Sequence, residues 1–395
     1  MLRYSFFIFM SALFLACADN VPKDNTVDSE IQNNQPKEEN EWALLPFTKL
    51  DSVNPILQPG NGTFTCPILN KKISWENKDV FNPAVVVRNG KMYMLYRAED
   101  TIGKYAGTSR IGIAESSDGI HFTKQAAPVL YPANDAQKKY EWEGGCEDPR
   151  IVEDSTGIYY MTYTAYDGKT ARLLVASSED LVHWTKHGPA FANAYGGKYS
   201  NTWSKSGSII STYEKDGRII ATKINGTYWM YWGDVNIWAA ISDDLIHWSP
   251  VLYTTNEGPV IELRHNAKDI PEIKIVFGPR KKKFDSDLVE PGPPAMITPK
   301  GILLMYNSRN IPSIGDSLLS EGMYTASQIL LDRDNPTIVL QRMENYFMKP
   351  DKPYELSGQV NKVCFLEGLA RFKNNWFLYY GTADSKIAVA IKKEE

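Results

Sequence analysis

Four cysteines and five histidines in 395 residues leave little material for metal or disulfide chemistry. Apart from Cys17, the cysteines are Cys66, Cys146 and Cys364, an odd set with no CxxC spacing. Neither a zinc site nor a disulfide framework is indicated, and these three read as buried thiols, with one disulfide left open. No HExxH motif surrounds a histidine and no nucleophile elbow accompanies one, so neither metal hydrolysis nor serine acyl chemistry has support. Charge of one sign is also scarce. Lys and Arg number 43 against 47 Asp and Glu, and the basic cluster around Lys281 to Lys283 is too short to track a polyanion. A long helical period is missing throughout. What is present is apolar and aromatic: 43% hydrophobic residues, with 10 Trp and 22 Tyr, which suits an all-β core or a surface that stacks on sugar rings.

The N-terminus reads as an export signal. Arg3 precedes an apolar run from Phe6 to Ala16, too short to span a bilayer, and Leu15-Ala16-Cys17 is similar to a bacterial lipobox. Residues 1–17 are therefore expected to be a lipoprotein signal, with Cys17 acylated. Residues 18–42 read as a polar tether and residues 43–395 as the folded domain. This places the protein outside the cytoplasm on a bacterial membrane, periplasmic or surface-exposed, and leaves the lipid anchor as its membrane contact.

A hairpin recurs along the domain, with strands around a Gly or Asn turn and a tyrosine at the end. Its copies finish at Tyr96, Tyr163, Tyr231, Tyr306 and Tyr380, 67 to 75 residues apart. A second repeat places His121, His183 and His247 in matching Ser/Asp-rich turns beside Phe122, Trp184 and Trp248. Histidines that repeat with the architecture are expected to be structural. Five units of a few strands each predict an all-β fold, a five-bladed β-propeller, rather than stacked sandwiches.

Polar residues flanking the repeat tyrosines would collect at one end of such a fold: Asn82, Arg97, Asp100, Glu147, Asp148, Arg150, Tyr166, Asp167, Arg172, Lys205, Glu290, Asn307, Arg309, Glu367 and Asp384. Carboxylates converging with arginines and aromatics are the equipment of a glycosidase, which needs an acid for the leaving oxygen and a base or nucleophile opposite.

These residues carry a resemblance. Phe81-Asn-Pro-Ala84, Tyr96-Arg97-Ala-Glu-Asp100, Gly145-Cys-Glu-Asp-Pro-Arg150, Trp203-Ser-Lys-Ser-Gly207, Gly292-Pro-Pro294 and Tyr379-Tyr-Gly-Thr-Ala-Asp384 resemble glycoside hydrolase family 130, in the family's order. The resemblance implies a five-bladed propeller acting with inversion on β-mannosides, as a phosphorylase or a hydrolase. It implies Asp148 as general acid, its proton passing through a hydroxyl of the bound mannose. Asn82, Arg97, Asp100, Arg150 and Asp384 would hold the sugar, and Tyr166, Trp229 or Trp232 would stack on it, a core role standing open for both tryptophans. Tyr166, Asp167, Arg172, Lys205, Asn307 and Glu367 complete the expected manno-oligosaccharide site. No metal, organic cofactor or nucleic acid is implied.

The sequence departs from the family's phosphorylase pattern at Val289-Glu-Pro-Gly-Pro-Pro294 and Tyr306-Asn-Ser308. Glu290 stands where a small residue is usual, and Asn307 stands in place of a phosphate-binding histidine. A carboxylate about 4 Å from a dianionic nucleophile opposes it by about 4 kcal/mol at an effective dielectric of 20. The same carboxylate suits a base that polarises water. Glu290 is the candidate base, with Glu257 and Glu262 as alternatives. The expected activity is an exported inverting exo-β-mannosidase for β-1,2-linked substrates. Lys205 and Arg172 keep phosphorolysis open as the second reading, and a non-catalytic glycan-binding lipoprotein is the third.

Overall fold

The computed structural model describes residues 40–105, 107–254, 270 and 272–394. The signal segment, Cys17, most of the tether, Glu257 and Glu262 lie outside the described residues. The rest is all-β: two four-residue helices, Lys138–Glu141 and Pro353–Leu356, are its only α-helices among the described residues.

The strands form five antiparallel meanders. The first runs Asp79–Arg88, Lys91–Glu99, Ser109–Ser116 and Thr123–Lys124. The second runs Gly145–Glu153, Tyr159–Tyr166, Ala171–Ser178 and Thr185–Pro189. In the third, Ser208–Ile209, Tyr228–Trp232, Ile237–Ser242 and Ser249–Pro250 pair in turn. The fourth contains Gly301–Arg309, Tyr324–Leu331 and Val339–Arg342, its leading edge shared by Leu288–Pro291 and Met296–Thr298. The fifth runs Cys364–Phe372, Asn375–Thr382 and Lys386–Lys393, and its outer strand is Thr48–Lys49 from the start of the domain. Parallel contacts Ser109↔Gly145, Ile220↔Glu153, Ser211↔Met296 and Tyr324↔Val363 tie one meander to the next. Leading strands such as Gly145–Glu153 are buried along their whole length, being covered on both faces.

The third copy of the hairpin differs from its sequence pattern. Ile219–Ala221 pairs back onto Ser211–Tyr213, while Tyr228–Trp232 pairs with Ser208–Ile209. The Asn225-Gly226 turn closes only the bridge Ile224↔Thr227. Residues 208–213 thus serve two neighbours, which alternation along one segment does not reveal.

The terminal tyrosines have a common purpose. Tyr96 Oη donates to Glu76, Tyr163 to Glu141, Tyr306 to Asp285 and Tyr380 to Glu355, at 2.8–3.0 Å. Each of these buried carboxylates also meets a cation from the outer strand of its own meander: Lys124 at 2.8 Å, Lys186 at 2.6 Å, Arg342 at 2.7 Å and Lys49 at 2.8 Å. Four meanders are therefore pinned by a tyrosine–carboxylate–cation lock. In the third, Tyr231 Oη donates instead to the Pro336 carbonyl at 2.8 Å. Breaking one partner of such a buried pair strands the other charge. The thiols of Cys146 and Cys364 are buried, and burial together with Glu141 and Glu355 respectively pushes both far up.

The repeated histidines are structural, as their spacing predicts. His121, His183 and His247 each place Nδ1 2.7 Å from the aspartate three residues earlier, at exposed turns. Against the desolvation of partial burial, the histidine and two turn amides hold Asp244 down at about 2. Ser116, Ser178 and Ser242 cap these turns through backbone amides, so the first copy begins at Ser116.

Candidate active site

Leading strands of the meanders break their ladders where the polar residues gather. Register shifts fall between Phe81 and Pro83, between Glu147 and Arg150, and between Leu366 and Gly368. Asn82 and Asp148, inside the first two, adopt left-handed backbone at φ 48° and 49°, as do Ser206 at 59° and Asp384 at 49°. Each such non-glycine residue costs about 1–3 kcal/mol, tolerated where the surrounding structure imposes it, and bulges re-aim side chains next to active sites. The bulge leaves no room across the strand either. A Cβ at Gly381 would stand 2.4 Å from Asn82 Oδ1.

The re-aimed side chains line a cleft of about 190 Å³ formed by Asn82, Arg97, Asp148, Lys205, Glu290, Arg309, Tyr324, Val360, Val363, Phe365 and Asp384. Asp148 is its hub. Its Oδ1 accepts from Asn82 Nδ2 at 2.9 Å and Arg97 Nη1 at 3.1 Å, and Lys205 Nζ lies 3.4 Å from Oδ2. Burial opposes its charge, but Arg97, Lys205 and the Asn82 hydrogen bond outweigh burial and hold the carboxyl well below the usual range. Arg97 is itself fixed by Glu99 at 2.8 Å, Glu147 at 3.1 Å and Ser109 at 3.0 Å, over the Phe81 ring.

Glu290 is different. It is buried, its Oε1 accepts from Ser206 Oγ, and burial lifts its carboxyl to about 7 despite the nearby Lys205. Asp384 is raised to about 7 as well, by burial and by Asp148, against the pull of Arg97. Glu367 is wholly buried with Oε2 unpartnered, and burial holds it well above the carboxylate range. The cleft thus contains one carboxylate held low and two raised to about 7, with Glu367, also raised by burial, close to Asp148 and Glu290. Separated affinities of this kind mark acid–base work.

Other expected site residues lie elsewhere. Arg150 is buried, donating to the carbonyls of Gly292 at 2.8 Å, Pro291 at 2.7 Å and Asp148 at 3.3 Å and meeting Glu367 at 3.4 Å, so it braces the cleft floor from behind. Asp100 accepts three backbone amides, from Ile102, Gly103 and Thr108, and binds Arg110 at 2.7 Å. Its acceptor capacity is spent on its own loop. Asp167 organises a turn and pairs with Arg172 at 2.7 Å, and Arg172 lies over Tyr140. Tyr166 packs edge-on against Tyr105. Asn307 joins two meanders by exchanging hydrogen bonds with the Leu366 backbone at 2.7 and 2.9 Å. Trp232 is core, its ring tilted against Phe191 and Trp238, and Trp229 packs on the adjoining apolar cluster. Tyr324, Val360, Val363 and Phe365 line the cleft without having been anticipated. Tyr324 opens a strand, away from the repeated tyrosine position, and the other three sit where no repeat or motif marks them.

A cleft of this composition, at bulges on an all-β scaffold, defines a carbohydrate-processing enzyme. The family model for β-1,4-mannooligosaccharide phosphorylases matches residues 51–395, and the chain belongs to glycoside hydrolase family 130, whose members process β-mannosides. It is 30% identical over 336 residues to a 1,2-β-oligomannan phosphorylase of Thermoanaerobacter sp. (strain X514), covering 82% of this chain and 94% of that one. A glycosyl hydrolase from Bacteroides ovatus superposes with a TM-score of 0.82 at 45% identity, over 89% of this chain and 94% of that one. A structure connected with glycoside hydrolases of the family that target β-1,2 mannosidic linkages in Candida mannan is 44% identical. Its TM-score is 0.83, over 89% of this chain and 95% of that one.

Proposed function

We propose that the protein is an inverting exo-β-mannosidase that hydrolyses β-1,2-linked manno-oligosaccharides, with Asp148 delivering the proton and Glu290 activating water. The observation that carries this reading is the buried Glu290 in the same cleft as Asp148, with a carboxyl poised near 7. A base is most effective when its affinity for a proton matches the working pH. A phosphate dianion there would meet Glu290, Asp148 and Asp384 as well as the cations Arg97, Lys205 and Arg309 lining the cleft, Arg97 being already paired with Glu99, Glu147 and Asp148. The 44% identical structure connected with β-1,2-mannosidic hydrolysis supports the linkage.

Arg97, Lys205 and Asn82 favour ionised Asp148, while Glu290 and Asp384 are raised to about 7. A mannose ring inserted among Asn82, Arg97 and Lys205 takes over their hydrogen bonds, which raises the proton affinity of Asp148 as the glycosidic oxygen begins to need one. Asn82, Arg97 and Asp384 hold that ring. The five meanders are read as blades of a five-bladed propeller, supported by their parallel contacts and by the N-terminal strand completing the last. The leader and the Leu15-Ala16-Cys17 sequence support an exported protein anchored through Cys17.

The test is product analysis with β-1,2-mannobiose, with and without phosphate. Free mannose at a rate independent of phosphate is expected, whereas mannose 1-phosphate establishes the phosphorylase instead. In a hydrolase, kcat/KM falls as the pH drops below about 7, because a base raised to that value is protonated there. Glu290→Gln lowers kcat by about 10²–10⁴ and removes that acidic limb.

A further inference from the structure

A cavity between the first two meanders shares no lining residue with the cleft. It measures about 620 Å³, within the range of small-molecule sites. Residues 125–137 cross there toward the turn and outer strand carrying Val182, His183, Trp184 and Lys186.

Its aromatic walls are fixed in advance. Trp184 Nε1 donates to the Leu181 carbonyl at 2.9 Å, and the Tyr131 ring leans on Phe64 at 5.1 Å. The matching tryptophan of the third meander, Trp248, is wholly buried, whereas Trp184 is only partly covered. Its charges are spent internally: Lys186 meets Glu141 at 2.6 Å, the Tyr131 carbonyl at 2.7 Å and Asp135 at 3.2 Å. The carboxamides of Gln125 and Gln137, by contrast, have no protein partner among the described residues. Fixed aromatic faces, unpaired amides and neutralised charge match an uncharged ligand with hydroxyl edges and an apolar face. Sugar rings have that chemistry.

We propose that this cavity is a second oligosaccharide site, which holds a distal part of a mannoside chain against Trp184 and Tyr131 and hydrogen-bonds it through Gln125 and Gln137. The chain's family supplies the sugar class, and the choice of β-1,2 linkage rests on the function proposed above. Calorimetric titration of the Asp148→Asn protein with β-1,2-mannotetraose, and in parallel with β-1,4-mannotetraose, is expected to show two sites for one of the two sugars. Adding Trp184→Ala leaves one site, and the Gln125→Ala/Gln137→Ala pair weakens the second site about tenfold with the melting temperature unchanged. In the otherwise unaltered enzyme, Trp184→Ala keeps kcat and KM on mannobiose and raises KM on long mannan about tenfold. A single site for both sugars, or a second site indifferent to Trp184, overturns the proposal. So does equal loss on mannobiose and mannan, which marks Trp184 as packing alone. A two-site result with β-1,4-mannotetraose alone keeps the cavity and overturns only the linkage.

Discussion

Asp148→Asn protein turns over β-mannosides about 10²–10⁴-fold more slowly than the unaltered enzyme, with the loss in kcat and with mannobiose still bound. The amide preserves the shape of the side chain and can still accept from Asn82 and Arg97, now at 2.9 and 3.1 Å from Oδ1, but it cannot pass a proton. Arg97 keeps Glu99 and Glu147 as partners and Lys205 keeps Glu147 at 4.0 Å, so the fold is retained. Single-turnover rates with mannobiose, alongside equilibrium binding of the same sugar, check this. A variant that keeps more than a tenth of wild-type kcat would remove Asp148 from proton delivery.

The second large effect is on stability. Glu355→Ala lowers the unfolding free energy by about 3–5 kcal/mol, because Lys49 loses its buried partner. Glu355 accepts from Lys49 at 2.8 Å, from Tyr380 at 2.9 Å and from the amides of Asp351 and Lys352 at 2.8 and 3.0 Å. Guanidinium titration should show a lower midpoint with an unchanged slope. Glu355→Gln, which keeps the hydrogen-bonding outline, loses less. Asp118→Ala, at an exposed histidine turn, stays within about 1 kcal/mol of wild type, and equal losses at Glu355 and Asp118 would sink the lock.

The strand content and the histidine turns were legible because both are local: a hairpin and a Ser/Asp turn announce themselves within a dozen residues. The repeated tyrosines were visible as a pattern, but not their locks, since Glu76, Glu141, Asp285 and Glu355 lie 20 to 25 residues before the tyrosine they bind. At the site, Asn82, Arg97, Asp148, Lys205, Glu290 and Asp384 were readable from motifs and do share one cleft. Asp100, Asp167 and Asn307 are polar residues in motifs as well, yet backbone amides, and for Asn307 a carbonyl too, engage them. A carboxylate in a motif does not declare whether it faces a ligand or its own loop. Tyr324 and Phe365 went unseen for the opposite reason: an aromatic side chain in a β-rich chain is ordinarily core.

Lys49 and Glu355 are 306 residues apart. The strand that leaves the ribosome first is the one the last meander needs to be finished, and closing so long a loop costs roughly 5 kcal/mol of chain entropy before any contact rewards it. The chain can assemble its earlier meanders in turn, but the Lys49–Glu355 lock forms only once the last meander has been made. Until then Thr48–Lys49 lacks its partner strand and offers an open edge to other chains, and a prematurely terminated copy would keep it. The joint between Thr48–Lys49 and Lys386–Lys393 therefore makes the last meander's stability depend on a strand made more than 300 residues earlier.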